Sequence, residues 1–175
     1  MPRPIVVMGV QGTGKSTVGA GLAKALAMDF IDGDSLHPER NKAKMAAGVP
    51  LSDDDRHPWL VAIGERIAQQ RGHSRPIVVV CSALKRSYRD LLRSYAPDLL
   101  FVHLYGTPEL VAERIASRTH EYMPASLLQS QFATLQPLAD HEAGVTVSIE
   151  PEPSEVVRLA IASLEAQQYS IRAEA

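Results

Sequence analysis

The octapeptide Gly9-Val10-Gln11-Gly12-Thr13-Gly14-Lys15-Ser16 constrains this chain more than any other feature, because it satisfies G-x-x-x-x-G-K-[ST]. The context fits as well. A short apolar run, Ile5-Val6-Val7-Met8, precedes the motif and reads as a buried strand. A helical pattern over residues 15–27 follows it, with Val18, Leu22 and Leu26 at i, i+4 and i+8. In such a unit the glycines let the backbone curl until successive N–H groups point inward, and the helix adds the positive end of its dipole. Gly12, Thr13, Gly14, Lys15, Ser16 and Thr17 are therefore the candidate phosphate-binding residues. Lys15 is expected to reach the β- and γ-phosphates of ATP and to act in catalysis, and Ser16 to ligate Mg²⁺ through its hydroxyl. The plainer alternative, a glycine-rich turn that binds nothing, explains the motif but not its position between strand and helix.

The rest of the chain repeats the alternation of strand and helix. Apolar runs at 30–32, 77–81, 99–104 and 145–149 read as strands, and Ile77-Val78-Val79-Val80-Cys81 is the clearest of them. Helices are expected over 36–47, 58–70, 86–95, 107–118, 125–135 and 154–168. Pro58 is placed in the first turn of its helix, Thr107 caps the next but one, and Ser154 caps the last. The final residues are polar and expected to fray. This pattern predicts an α/β fold: a three-layer α/β/α P-loop NTPase domain spanning 1–175, with a five-stranded parallel sheet and a helical lid. At 175 residues and 45% hydrophobic content one ordinary core is within reach. The net charge of −2 and the scattered basic residues argue against nucleic acid as a partner. No apolar run is long enough to cross a membrane, and the N-terminal one is too short for a signal-peptide core. With one cysteine, Cys81, an internal disulfide is impossible; that does not fix the redox compartment but is compatible with a reducing cytosol, and the short apolar runs lead to the expectation of a cytoplasmic setting.

The loop alone does not separate kinase, GTPase and motor ATPase. No guanine-reading Asn-Lys-x-Asp occurs; Asn41-Lys42-Ala43-Lys44 is the nearest string. The central strand ends in Cys81-Ser82, without the acid that commonly holds Mg²⁺. Asp32-Gly33-Asp34, after the second strand, supplies two carboxylates at that edge instead. Asp32 is assigned to the metal side and Asp34 to the substrate hydroxyl, as base or orienting group. An ordinary Asp-Gly turn is the competing reading.

Residues 36–71 form the expected substrate side. His37, Arg40 and Lys44 follow the acid pair as possible donors, and Asp53-Asp54-Asp55 offers acceptors for a polyol, with Asp54 a candidate. The same three acids also suit a helix start. Lys85, Arg86 and Arg89, at the carboxyl end of the central strand, are candidate cations for an anionic group, or else a solvated basic helix turn. Arg114 and Arg118, four apart on one helix, begin a helix–loop–helix expected to act as a lid over 114–135. Arg118 is read as catalytic and Arg114 as a nucleotide contact. A surface ion-pairing role competes for both.

Taken together, these strings resemble the small P-loop gluconokinases from about Ile5 to about Val157. The specific ones are Asp32-Gly33-Asp34 with Leu36-His37-Pro38, then Asn41 with Lys44-Met45, and Pro50 to Arg56 with Pro58-Trp59-Leu60. Cys81 to Lys85 with Tyr88-Arg89-Asp90, and Ser130-Gln131-Phe132 with Thr134-Leu135, complete the set. The resemblance implies phosphorylation of D-gluconate at the 6-hydroxyl by ATP and Mg²⁺, a nucleoside-monophosphate-kinase-like fold with a mobile lid, and a homodimer. It also implies that Asp34 faces the substrate hydroxyls, that Lys85 lies in the substrate cleft, and that the turn around Pro151 lies against adenine. The family's lid usually reads Gly-His-aromatic before Met-Pro; here it reads His120-Glu121-Tyr122. Gln11 stands where a small residue is usual, at a position that contributes mainly backbone. Two other readings stay open: a kinase for shikimate or a nucleoside monophosphate, and a nucleotide-binding regulator without turnover.

Overall fold

The computed structural model describes residues 3–118 and 125–173, with side chains through Gln167. Its five strands are β1 (Ile5–Met8), β2 (Asp29–Asp32), β3 (Ile77–Val80), β4 (Leu100–Tyr105) and β5 (Gly144–Ser148). All pairings are parallel, in the order β2-β3-β1-β4-β5. Side chains alternate faces along each strand. Val7, Val78, Val80, Val102 and Leu104 join one core cluster, while Val6, Met8, Val79 and Phe101 join the other. This is why the central strands read as uninterrupted apolar runs: helices cover both faces.

The first cluster is closed by α1 (Lys15–Ala25), α5 (Pro108–Ala116), α6 (Ala125–Thr134) and α7 (Pro153–Ala173), through residues such as Leu22, Ile115, Leu128 and Val156. The second is closed by α3 (Asp53–Gly72) and α4 (Arg86–Tyr95), through Trp59, Leu60, Ile63, Ile67 and Leu92. The three-layer α/β/α architecture is as expected from the sequence. β1 lies at the centre, so the loop after it opens at the middle of the sheet's carboxyl edge, where such sheets bind ligands.

Three helix boundaries differ from expectation. The segment expected as one helix over 36–47 divides into a 3-10 turn at Gly33–Leu36 and α2 (Glu39–Ala46), separated by His37 and Pro38. α3 starts at Asp53, so Pro58 lies inside the helix rather than in its first turn. Ser52 is the cap: its hydroxyl accepts from the Asp55 N–H, and the Asp55 carboxylate accepts from the Ser52 N–H. That reciprocal cap sets the start upstream of the proline. Likewise α7 begins at Pro153, with Ser154 already inside and the Glu152 carbonyl accepting from the Glu155 and Val156 amides. Thr107 caps α5 as expected, accepting from the Leu110 N–H. α7 reaches Ala173; the end of the frayed tail expected there, and the segment His120-Glu121-Tyr122-Met123-Pro124, lie outside the described residues.

Candidate active site

Gly14 is the N-cap of α1 at φ 83°, a left-handed conformation that suits glycine, and it offers no side-chain cap. The first amides of α1 are thereby left for a ligand. Thr13 is buried and donates from its hydroxyl to the Val10 carbonyl at 2.9 Å, which holds the loop's curl. Lys15 Nζ donates to the same carbonyl at 3.0 Å. Burial lowers the Lys15 pKa, against the opposing charge of Asp34; the positive charge of Arg118 adds to the lowering. Arg118 lies two residues past the end of α5, so it does not continue the helix of Arg114 as expected, but its charge still acts on Lys15. Gly12 packs under Ile115 and Val111 of α5, and Thr17 is exposed on α1.

Ser16 Oγ donates to Asp32 Oδ2 at 2.9 Å. The other oxygen of Asp32 accepts from the Asp34 N–H at 3.0 Å, so one carboxylate ties the phosphate loop to the turn that carries Asp34. A hydroxyl and a carboxylate side by side at the mouth of the loop are hard oxygen donors that suit Mg²⁺, which takes few protein ligands beside phosphate oxygens. Asp34 has its pKa raised, first by burial and then by the charge of Asp32, with Lys15 pulling the other way. A carboxylate so disposed is a stronger proton acceptor. Gly33 between them has no room for a side chain: a Cβ there would lie 2.3 Å from the Val80 carbonyl oxygen. The buried Trp59 indole donates to the Gly33 carbonyl at 2.8 Å and pins the turn from the α3 side.

The substrate-side candidates divide. His37 is buried, stacked on Trp59 with ring centroids 4.0 Å apart, and its pKa falls to about 4 through burial. Lys44 Nζ reaches Asp55 Oδ2 at 2.7 Å, and Arg40 lies 3.7 Å from the same carboxylate, so both tie α2 to α3. Buried Asn41 joins them, donating to the Asp55 carbonyl at 2.8 Å. Asp54 is exposed in the first turn of α3. Lys85 projects to Asp53, at 2.9 and 3.0 Å from its two oxygens.

Arg89 departs from expectation. It is not presented to the cleft: its side chain is fully buried and paired with buried Glu142 through Nε and Nη2, each at 2.8 Å. Its Nη1 donates to the carbonyls of Ala83 and Leu84 at 3.0 and 3.3 Å. Arg89 shares the buried face of α4 with Tyr88 and Leu92, whereas Lys85 is the extended N-cap before the helix and is not bound to that face. Arg86 also turns away, to Asp90 at 3.7 Å on the helix surface. The expected basic trio therefore leaves one cation, Lys85, facing the acids of α3.

Arg89 serves a different purpose from the one expected, and the glutamines that work beside it were given no role from sequence. Arg89 braces the loop before Lys85, where Ala83 takes a left-handed φ of 45°. Gln136 clips the other side: its N–H donates to the Leu84 carbonyl and its Oε1 accepts from the Arg86 N–H, at 2.8 and 2.7 Å. Gln131 of α6 accepts from the Gln11 N–H of the phosphate loop at 2.7 Å, using the backbone of that position as expected. Glutamines in a helix or connector carry no periodic signal, although Gln131 lies in one of the family-like strings. At the far edge, Arg114 Nη2 donates to the Ile149 carbonyl, which places the end of α5 beside the turn holding Pro151. Cys81 is buried, its thiol pushed up to about 12 by burial. Among the described residues no group of three acids, histidines or cysteines forms a metal cluster by itself.

A phosphate loop at the centre of a parallel sheet, with paired acids on the turn after β2 and the Lys85–Asp53 pair on the same edge, defines the class: a small P-loop kinase. Residues 5–138 match the family described as an AAA domain. The gluconokinase of Gluconobacter oxydans (strain 621H) is 45% identical over 166 residues, 95% of this chain and 93% of that one. The crystal structure of a gluconokinase from Sinorhizobium meliloti 1021 matches with a TM-score of 0.91 at 48% identity, covering 99% of this chain and 98% of that one. Shikimate kinase from Aquifex aeolicus, 18% identical with a TM-score of 0.64 and coverage of 95% and 98%, shares the fold. The chain belongs to the gluconokinase family.

Proposed function

We propose that this chain transfers the γ-phosphoryl group of ATP to the 6-hydroxyl of D-gluconate, giving 6-phospho-D-gluconate. The observation that carries the reading is the turn Asp32-Gly33-Asp34, pinned beside the phosphate loop with Ser16 on one acid and the other acid poised with a raised pKa. The amides of Gly12 to Thr17 hold the phosphates, and Lys15 exchanges the Val10 carbonyl for the β- and γ-phosphate oxygens. Ser16 and Asp32 would hold Mg²⁺, which would supply charge neutralisation at the phosphate oxygens. Asp34 accepts the hydrogen bond of the attacking hydroxyl and takes its proton as the new P–O bond forms and the bond between the γ-phosphorus and the bridging oxygen breaks, releasing ADP. Lys85 meets the anionic end of the substrate. Arg118 and Arg114 belong to a lid over 114–135 that excludes water on closing, with Arg118 set against the transferred charge. His37, Arg40, Lys44 and Asp54 shape the substrate side, the first three by fixing α2 on α3. Pro151 lies against adenine.

The chain is further read as a single kinase domain that assembles as a homodimer, on the family resemblance. A cytoplasmic setting is part of the same reading, and the single cysteine, Cys81, is compatible with a reducing compartment. No described helix is long and apolar enough to cross a membrane.

The test is ADP release from purified protein with ATP and Mg²⁺, offered D-gluconate, shikimate, D-glucose or AMP in turn. Turnover is expected with D-gluconate and not with the others. Turnover with shikimate or AMP in its place would reject the substrate and keep the P-loop chemistry.

A further inference from the structure

α3 and the start of α4 bring three donors to one point. Lys85 Nζ contacts both oxygens of Asp53, at 2.9 and 3.0 Å. The Tyr88 hydroxyl donates to Oδ1 of the same carboxylate. Arg56 Nη1 lies 4.0 Å from that oxygen and 3.4 Å from the Tyr88 hydroxyl. The guanidinium and the ammonium both flank the Tyr88 ring, 5.8 and 5.6 Å from its centroid. These donors are held in place. Tyr88 is buried, and the backbone around Lys85 is fixed by Arg89 from inside and by Gln136 from outside. The acceptor is not held in the same way. Asp53 is exposed, its side-chain partners are these donors alone among the contacts described, and α3 keeps its start without it, through the Ser52–Asp55 box and Asp54.

We propose that Arg56, Lys85 and Tyr88 are the subsite for the substrate's carboxylate, and that Asp53 is an internal carboxylate which the substrate displaces from it. The inference rests on the sugar-acid kinase reading above. Two cations and a hydroxyl already hold one carboxylate there, so the exchange replaces like with like and leaves the charge of the subsite unchanged. An internal competitor reduces apparent affinity by the fraction of molecules in which the donors are engaged. It also selects against uncharged polyols, which cannot replace a carboxylate on two cations without leaving those cations poorly paired.

The experiment is calorimetric titration of the full chain, with Mg²⁺ and a non-hydrolysable ATP analogue present, using D-gluconate and its uncharged counterpart D-glucitol. Asp53→Asn is expected to tighten D-gluconate binding by roughly 3- to 10-fold, the release of a competitor that holds the site most of the time. Lys85→Met is expected to weaken D-gluconate by roughly 10- to 100-fold, the loss of a charge-assisted bond, while D-glucitol changes little. Tyr88→Phe, which keeps the ring packing, is expected to weaken D-gluconate alone. Weaker binding of D-gluconate by Asp53→Asn would overturn the proposal and make Asp53 a ligand of substrate hydroxyls. Equal losses of both ligands in Lys85→Met would overturn it too. Should the wild type bind a different organic acid in place of D-gluconate, the sugar-acid reading fails. Tightening of that acid by Asp53→Asn would still support the subsite, and no tightening would sink it.

Discussion

The Arg89 guanidinium is fully buried against Glu142, whose carboxylate also accepts from Arg93 and the Ala139 amide. Burial alone would raise the Glu142 pKa, but the bonds from Arg89, the Ala139 amide and Arg93 overcome it and hold the carboxyl at about 2. A buried pair adds little over well-packed apolar residues, yet removing one partner strands the other. Arg89→Met is therefore expected to lower the unfolding free energy by about 3–5 kcal/mol in a denaturant titration. A loss below about 1 kcal/mol would show that the pair is solvated after all. Residue type made Lys85, Asp32 and Asp34 legible as charged groups at strand ends. It did not reveal the partner of Arg89, because Glu142 lies 53 positions away in an irregular connection. Tyr88 and Arg56 escaped for a related reason: each looks like an ordinary amphipathic helix residue until the two helices are set side by side.

Among elements, the 3-10 turn at Gly33–Leu36 has the least freedom. It starts from an Asp32 side-chain cap, runs under the end of β3 and is tied to α3 by Trp59. Gly33→Ala would set a methyl group 2.3 Å from the Val80 carbonyl oxygen, and a backbone oxygen cannot give way as a side chain can. The turn must shift and carry Asp32 and Asp34 with it. Turnover is expected to fall about 100-fold, in line with the cost of an ångström's misplacement of a catalytic group. Near wild-type kcat in this variant would contradict the tight turn. Strands and helices were legible because apolar period and the glycine loop agree with the tertiary structure. Their starts were less so. Pro58 and Ser154 are each plausible start signals, and each was outranked by a neighbour, the Ser52–Asp55 box in one case and Pro153 in the other.

Among the described residues, His37 and His103 are buried on the face covered by α3 and α4, and burial brings the pKa of each down to about 4. Burial lowers His37, helped by the charges of Arg56 and Lys42; burial lowers His103, helped by Arg89. Their folded pKa values lie below the unfolded value near 6.5. The unfolded chain therefore binds more protons between those limits. The stability they contribute is full above about pH 6.5 and is lost as pH falls toward 4. Asp34, with its raised pKa, acts in the opposite sense. His103 has a buried Nδ1 with no hydrogen-bond partner, so it isolates the effect cleanly. Denaturant midpoints are expected to drop between pH 6.5 and 4, and to drop less in His103→Gln. Parallel curves for the two proteins would reject this origin. Across the same molecule, the sheet order delivers the phosphate loop, the acid turn and the Lys85 loop to one edge, on neighbouring strands β1, β2 and β3. That convergence was legible in outline, since each motif follows a strand. The pinning contacts of Trp59, Gln131 and Gln136 were not, because they join segments distant in sequence. Asp34 is the group on which phosphoryl transfer most directly depends, and the deciding measurement is gluconate-dependent kcat beside the ATP dissociation constant in Asp34→Asn. We expect kcat to fall by about 100-fold or more, the usual weight of a general base, with ATP binding within about twofold of wild type. An Asn variant that turns over D-gluconate at near wild-type rate would contradict it.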